Sequence, residues 1–472
     1  MIFNSLTFLI FFAIVVAVYY LPWSWTQRKV ILLLASYLFY AAWNPPFVLL
    51  LMASTVIDWI VAKRMAATED GTRRKALLLV SLVFNLGVLA FFKYGGFLLD
   101  NFVQLAGALG LHYGPPAWDI VLPIGISFYT FLTLSYTIDV YYRRIPPGNS
   151  FLDYAFFITF FPHLVAGPII RAADFLPQCA APKLATRDQF GWGLALMAIG
   201  LFEKVVLADA VMAPVADTVY GAVGKAGFTD AWIGTLAFSS QIFFDFAGYS
   251  TCAIGAALCL GFVLKDNFRY PYAAIGFSDF WQRWHISLST WLRDYLYVPL
   301  GGNRHGNRKT TRNLMLTMLL GGLWHGAAWR FVAWGGLHGS YLIAERSARR
   351  RWSTVPWFAT TGARVLLAMG TFLLVCVTWV FFRASTLRDA VRLLKTMAVG
   401  APDELVLGAS SAIAVVGITA LLVAAHWWMR DSSLEARWQS MPWWGRSVVL
   451  ATLLLSLALV PGDDRAFIYF QF

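Results

Sequence analysis

The sequence predicts an all-α polytopic membrane protein, and three observations carry that expectation. Of its 472 residues 59% are hydrophobic and 17% aromatic, only 13% are charged, and the mean hydropathy is +0.63. That leaves too little polar surface to cover a soluble globule of this length. Apolar runs of about twenty residues recur from end to end, each long enough to cross a hydrocarbon core of about 30 Å as a helix. Basic residues gather at the ends of these runs and alternate between successive connections, as the positive-inside rule requires.

Spans are expected near residues 2–21, 30–43, 47–62, 76–99, 120–142, 190–212, 231–264, 364–382, 408–429 and 447–461. The first reads as a retained helix with its N-terminus outside, since no Lys or Arg precedes Arg28 and no small-residue cleavage site follows the apolar core. The connections then alternate. Arg28 and Lys29 come first, then the uncharged Asn44-Pro45-Pro46, then Lys63, Arg64, Arg73, Arg74 and Lys75, then a nearly neutral 100–119, then Arg143 and Arg144. The stretch 383–395 departs from the scheme: counting puts Arg383, Arg388, Arg392 and Lys395 outside, so it is either a surface helix or a sign that the count shifts by one. Interrupted pieces at 151–172 and 313–344 read as re-entrant, because broken backbone at membrane depth survives only where protein buries it or it lines a wet cavity. No linker, low-complexity stretch or repeat divides the chain, so residues 1–472 are expected to form one domain.

The net charge of +12 follows from these topogenic loops and not from nucleic-acid binding, because no separate basic domain exists. Cys179, Cys252, Cys259 and Cys376 show neither a CxxC pair nor metal spacing and read as small apolar residues in helices.

Residues 265–312 break the apolar rhythm with eight Lys or Arg (Lys265, Arg269, Arg283, Arg293, Arg304, Arg308, Lys309, Arg312) against Asp266, Asp279 and Asp294. Within them Ser278 to Val298 has a helical period, with Ser278 as N-cap, Asp279 in the first turn and Pro299-Leu300-Gly301-Gly302 as the stop. At 100° per residue Trp281, Trp284, Leu288, Trp291 and Tyr295 share an aromatic packing face. Gln282, His285, Ser289 and Arg293 share a polar face, and Arg283, Ser287, Thr290 and Asp294 a third. The run Asn303-Arg304-His305-Gly306-Asn307-Arg308-Lys309 reads as a flexible basic loop. It is either a solvated topogenic loop or a clamp in which Arg304, Arg308 and Lys309 hold phosphates.

His325 follows in Gly321-Gly322-Leu323-Trp324-His325-Gly326-Ala327-Ala328, where small residues allow close backbone approach. From spacing alone it is either an interhelical hydrogen-bonding residue or a catalytic one. His112, His163, His338 and His426 read as structural. A metal site on His285 and His325 lacks a third ligand at useful spacing.

Taken together, the run Asp279-Phe280-Trp281-Gln282-Arg283-Trp284-His285-Ile286-Ser287-Leu288-Ser289, its continuation from Trp291 to Gly302, and Gly322-Leu323-Trp324-His325-Gly326 resemble the membrane-bound O-acyltransferase family. The likeness is greatest to its bacterial branch of alginate O-acetyltransferases and teichoic acid D-alanyltransferases. Residues 160–169 (Phe160-Phe161-Pro162-His163 onward) and the terminal Phe467-Ile468-Tyr469-Phe470-Gln471-Phe472 resemble the same branch. The resemblance implies a ring of about ten to twelve transmembrane helices around a thin re-entrant helical core, approximately residues 150–345, with a cross-membrane tunnel. It implies a multi-pass protein of the bacterial inner membrane that transfers an acetyl group from acetyl-CoA, with no bound cofactor. The acceptor would be an exported, alginate-like polysaccharide or a periplasmic acetyltransferase partner.

The family's signature histidine falls on His325 and its second polar active-site position on His285, so both are expected to be catalytic. Gln282, Ser289, Arg293 and Trp324 would contact substrate. An alcohol must lose a proton as it attacks a thioester, and a neutral imidazole suits that task. His285 could polarise the carbonyl or orient the donor. Direct transfer and a covalent relay both remain open, as do peptidoglycan, teichoic acid or cellulose as acceptor and a lipid- or protein-directed transferase. Outside the family, a proton-coupled transporter predicts paired broken helices in two pseudo-symmetric halves; only the second half shows such a polar core.

Overall fold

A computed structural model describes residues 1–115, 120–165, 167–352, 355–400, 406–460, 465 and 467–468. Every regular element among these residues is a helix. Four helices have the length and hydropathy to cross a bilayer: Gly71–Ala108, Phe228–Cys259, Thr361–Arg383 and Ala409–Met429. Leu6–Tyr19 and Trp443–Leu459 are shorter apolar helices. The other expected spans also form helices, at Trp25–Ala41, Phe47–Ala66 and Ile126–Tyr141, and from Arg187–Leu201 into the π-helical Phe202–Met212. The chain is thus an all-helical membrane protein. Ala166 and Tyr469 to Phe472 of the expected motifs lie outside the described residues.

Two compact units emerge, one of residues 1–193 with 256–265, the other of 194–255 with 266–472. In the first, the helix Gly71–Ala108 turns its polar groups inward and apolar ones outward, as lipid solvent demands. Leu79, Val83, Leu86, Leu98 and Leu105 of Gly71–Ala108 are exposed. The inner side of that helix joins Phe47–Ala66 and Ile126–Tyr141 through hydrogen bonds. Asp58 accepts from the Ser81 hydroxyl at 2.6 Å and the Asn85 amide at 2.8 Å, and Asn85 accepts from Ser54 at 2.8 Å and Thr133 at 3.2 Å. Arg74 donates to the Met65, Val140 and Tyr141 carbonyls, satisfying acceptors that two helix C-termini leave without an intrahelical partner.

The expected interruption at 151–172 is present. Phe151–Thr159 stops at Phe160, one turn follows at Phe161–Leu164 with Pro162 in it, and the amide of Phe161 donates to the Ser36 hydroxyl at 3.0 Å.

In the second unit the buried helix Phe228–Cys259 presents Ser239, Phe243, Phe246 and Ser250, a spacing that lines one face. The segment from Asn267 onward is strapped along that face. Asn267 donates to the Ser250 hydroxyl at 3.0 Å, and the Tyr272 hydroxyl reaches the Ser239 carbonyl.

The single helix expected from Ser278 to Val298 is instead broken. Phe277–Arg283 ends before Trp284, His285 takes a left-handed conformation with φ +43°, and Ile286–Leu292 runs on into a π-helical turn, Arg293–Tyr297. The strap causes the break: the Arg283 carbonyl accepts from the Arg269 amide, and the Ile286 amide donates to the Asn267 carbonyl, both at 2.9 Å. Tertiary partners thereby replace the hydrogen bonds a continuous helix would make. Ser278 is not the cap either. Gly276 precedes the helix at φ +90°, and the Ser278 amide is capped from outside by the Glu345 carboxylate at 2.9 Å.

The segment expected to be re-entrant at 313–344 is a helical hairpin, Gly306–His325 and Trp329–Trp352, broken at residues 326–328. Both arms extend past the apolar stretch because the charged residues at either end are helical too. Arg308 and Lys309 therefore sit in a first helical turn, where the sequence suggested a loop. Leu387–Val399 forms a separate amphipathic helix with Ala390, Leu393 and Met397 buried and Arg388, Val391 and Arg392 exposed, the surface-helix alternative for 383–395.

Candidate active site

The hairpin closes tightly because glycines face each other across it. A Cβ on Gly322 would overlap the Phe331 carbonyl, and one on Gly335 would overlap the Met318 carbonyl. With side chains absent there, the arms approach closely enough to place His325 against Trp334. His325 is the last residue of its helix and only 4% exposed. Its ring meets Trp334 edge-on at 5.0 Å between centroids and Phe382 at 5.3 Å. The carbonyl ends of a helix C-terminus carry partial negative charge, so this position favours an imidazole that acquires a proton.

Beside it lies a cavity of about 510 Å³. His325 and Trp334 come to its wall from the hairpin, Trp281 and Gln282 from Phe277–Arg283, and Ser289 and Arg293 from the segment beyond the break. Leu288, Leu292, Leu314 and Met318 make the rest of the wall largely apolar. Gln282, Ser289, Arg293 and His325 are thus brought together. Arg293 also pairs with Asp294 at 2.7 Å, and the Ser289 hydroxyl donates to the Trp284 carbonyl at 3.1 Å, which leaves its lone pairs for a ligand.

His285 is not among the lining residues. Because the helix breaks at this residue, His285 does not continue the polar face through Gln282 and Ser289. It is buried against Phe246 at 4.6 Å, and its Nδ1 lies 3.1 Å from the Asn267 amide oxygen, which also accepts from the Ser287 hydroxyl at 2.8 Å. Burial pushes the His285 imidazole down to about 3, so it is neutral. Trp324 does not line the cavity, nor do Arg304, Arg308 and Lys309, which are exposed at the N-terminal end of the His325 helix. Among the described residues, no group of three or more His, Cys, Asp or Glu has metal-binding geometry.

The division into a packing and a polar face also shifts. Trp284 does pack: it is 1% exposed and stacks on Phe280 at 5.7 Å and Tyr272 at 6.1 Å. Trp281 and Leu288, expected beside it, instead line the cavity. Sequence reasoning passed over Trp334, while His338, expected to be structural, is buried off the cavity wall. Trp334 stands between His325 and His338, 4.7 Å from the latter, and the His338 Nε2 lies 3.0 Å from the Thr378 hydroxyl. The available signal was Ala333-Trp334-Gly335-Gly336, a tryptophan among small residues like the one preceding His325. The indole N–H groups of Trp281 and Trp334 are buried with no hydrogen-bond partner among the described residues, an arrangement that costs about 1–3 kcal/mol each when nothing else occupies the site.

The sequence, over most of its length, matches a known family. The model of the MBOAT, membrane-bound O-acyltransferase family matches residues 35–385. The chain is 42% identical over 404 residues to a probable alginate O-acetylase, AlgI, of Pseudomonas aeruginosa, covering 84% of this chain and 75% of that one. It is 37% identical over 398 residues to a peptidoglycan O-acetyltransferase of Helicobacter pylori, covering 78% and 73%. A teichoic acid D-alanyltransferase of Bacillus subtilis is 27% identical over 282 residues, covering 57% and 70%.

Proposed function

The chain belongs to the membrane-bound O-acyltransferase family, and on that premise we propose that it transfers acetyl groups from cytoplasmic acetyl-CoA to hydroxyls of an exported, alginate-like polysaccharide, directly or through a periplasmic acetyltransferase partner. The observation that carries this reading is the placement of His325 on the wall of a largely apolar cavity together with Gln282, Ser289 and Arg293. The bacterial inner membrane is where such an enzyme meets both a cytoplasmic thioester and a polymer leaving the cell. The names of the relatives support acetyl over larger acyl groups and a glycan as acceptor.

In the proposed step the acceptor hydroxyl oxygen attacks the thioester carbonyl carbon. His325 takes the hydroxyl proton as the C–O bond forms, and returns it to the sulfur as the C–S bond breaks, so no net proton is consumed. The helix C-terminus stabilises the transient imidazolium. Gln282 and Ser289 orient the reactants within the cavity, and Arg293 offers a charge at its edge. Trp324, which precedes His325 in the helix and does not line the cavity, has no part in this step. His285 acts as a positioning residue: its left-handed turn joins the two helices that carry Gln282 and Ser289. Arg304, Arg308 and Lys309 draw the phosphates of the donor toward the hairpin.

His325→Ala should abolish acetylation, because the neighbouring small residues need no imidazole to pack. The measurement is polymer acetylation in a deletion strain complemented at matched membrane abundance. Wild-type acetylation by the variant would remove His325 from the chemistry. Acetyl recovered on peptidoglycan in place of the exported polysaccharide would identify the acceptor suggested by the Helicobacter pylori relative.

A further inference from the structure

The unpartnered indoles point to a function of their own. We infer that the indole N–H of Trp334, with that of Trp281 beside it, holds the acyl carbonyl oxygen in the cavity and stabilises it as negative charge develops. This rests on the reading of the cavity as the acyl-transfer site.

Trp334 is 1% exposed, and its N–H has no partner among the described residues. Trp281 is also without a partner at its N–H, and both side chains line the cavity that His325 lines. An indole N–H can only donate, so each requires an acceptor. Neither indole N–H is hydrogen-bonded to the Thr378 hydroxyl. The Thr378 hydroxyl beside His338 already donates to the Val375 carbonyl at 2.7 Å and lies 3.0 Å from the His338 Nε2. That arrangement makes the Thr378 oxygen the acceptor of the imidazole hydrogen. Buried donors without partners are uncommon in native proteins and ask for a ligand or water in the adjoining space.

The chemistry of the wall selects which ligand atom that is. The group must offer lone pairs, tolerate the apolar surface of Leu288, Leu292 and Met318, and lie within the same cavity as the base. A thioester carbonyl oxygen meets all three requirements. A neutral donor also suits catalysis better than a fixed cation would. It binds the weakly polar ground-state carbonyl loosely and the forming oxyanion strongly, so its contribution grows along the reaction.

The test replaces Trp334 with 3-benzothienylalanine, which keeps the size and aromatic faces of the side chain and puts sulfur where the N–H was, with Trp334→Phe as a genetically encoded companion. Acetyl transfer is measured on full-length protein in lipid nanodiscs, normalised to folded protein. We expect kcat to fall about 100- to 1,000-fold, the range for removal of one oxyanion donor, with the KM for acetyl-CoA changed less than about threefold. Trp281→Phe should lower kcat in the same manner. An isosteric variant that turns over at the wild-type rate, or one that raises KM alone, overturns the assignment. His325→Ala separates the two claims: if it is inactive while the isostere is fully active, only the carbonyl donor fails. If it is active, the base fails and the isostere still decides the donor.

Discussion

His285 holds its backbone in the left-handed region, at φ +43°. A left-handed φ costs a residue with a Cβ about 1–2 kcal/mol, and here the Asn267 strap compensates by bonding to Ile286, Ser287 and the imidazole. The substitution that tests this is Asn, which tolerates left-handed backbone and retains a polar group for Asn267. His285→Ala should lower both folded yield and kcat, whereas His285→Asn should restore the yield and most of kcat. Purified yield and initial rates of acetyl transfer measure the two. An Asn variant that folds normally yet turns over as slowly as the Ala variant would mean the imidazole itself takes part in the chemical step. His325 and His285 were both legible in the sequence as residues to notice, because each stands beside tryptophan in an otherwise apolar chain. Their different situations were not, because one hydrogen-bonded strap from eighteen residues earlier decides that His285 turns away from the cavity wall.

At the level of elements, the hairpin of Gly306–His325 and Trp329–Trp352 positions the base, and its closeness depends on Gly322 and Gly335. Gly335→Ala should push the arms apart, because the added methyl meets a backbone carbonyl that cannot rotate away. We expect a fall of at least several-fold in both folded yield and kcat. Gly417→Ala, in a helix where a Cβ meets nothing within 4 Å, should leave both unchanged. Size-exclusion yield and specific activity, measured side by side, decide the matter; equal behaviour of the two variants would mean the close approach is dispensable. The N-terminal turn of the same hairpin presents Arg308 and Lys309, with Arg304 just before it. Replacing all three with Ala should raise the KM for acetyl-CoA and weaken its dependence on ionic strength, since exposed charges act over about 8–10 Å at physiological salt. An unchanged KM in a salt titration would leave these residues as topogenic signals alone.

On the scale of the whole molecule, the topology makes the next prediction. Eight Lys or Arg against three Asp between residues 265 and 312 predict a cytoplasmic side for that segment under the positive-inside rule. Asn307 is exposed there, and all four native cysteines are buried, so Asn307→Cys offers a labelling site against a quiet background. An impermeant thiol reagent should fail to label intact spheroplasts and succeed after permeabilisation. Labelling of the intact preparation would reverse the orientation.

Composition and periodicity alone determined that this chain is an all-helical membrane protein, because lipid imposes one rule on every span: apolar side chains outside and backbone groups satisfied within. They also located the breaks near Phe160 and Gly326, because Pro and Gly mark breaks locally. Local pattern cannot register partners distant in sequence. The Asn267 strap interrupts a segment whose own period is continuous, Glu345 caps a helix that seemed to start on its own serine, and Trp334 joins His325 only because two glycines on separate helices meet. The tertiary structure decided these three points, and with them which residues form the cavity, since each depends on a contact made after the helices have packed.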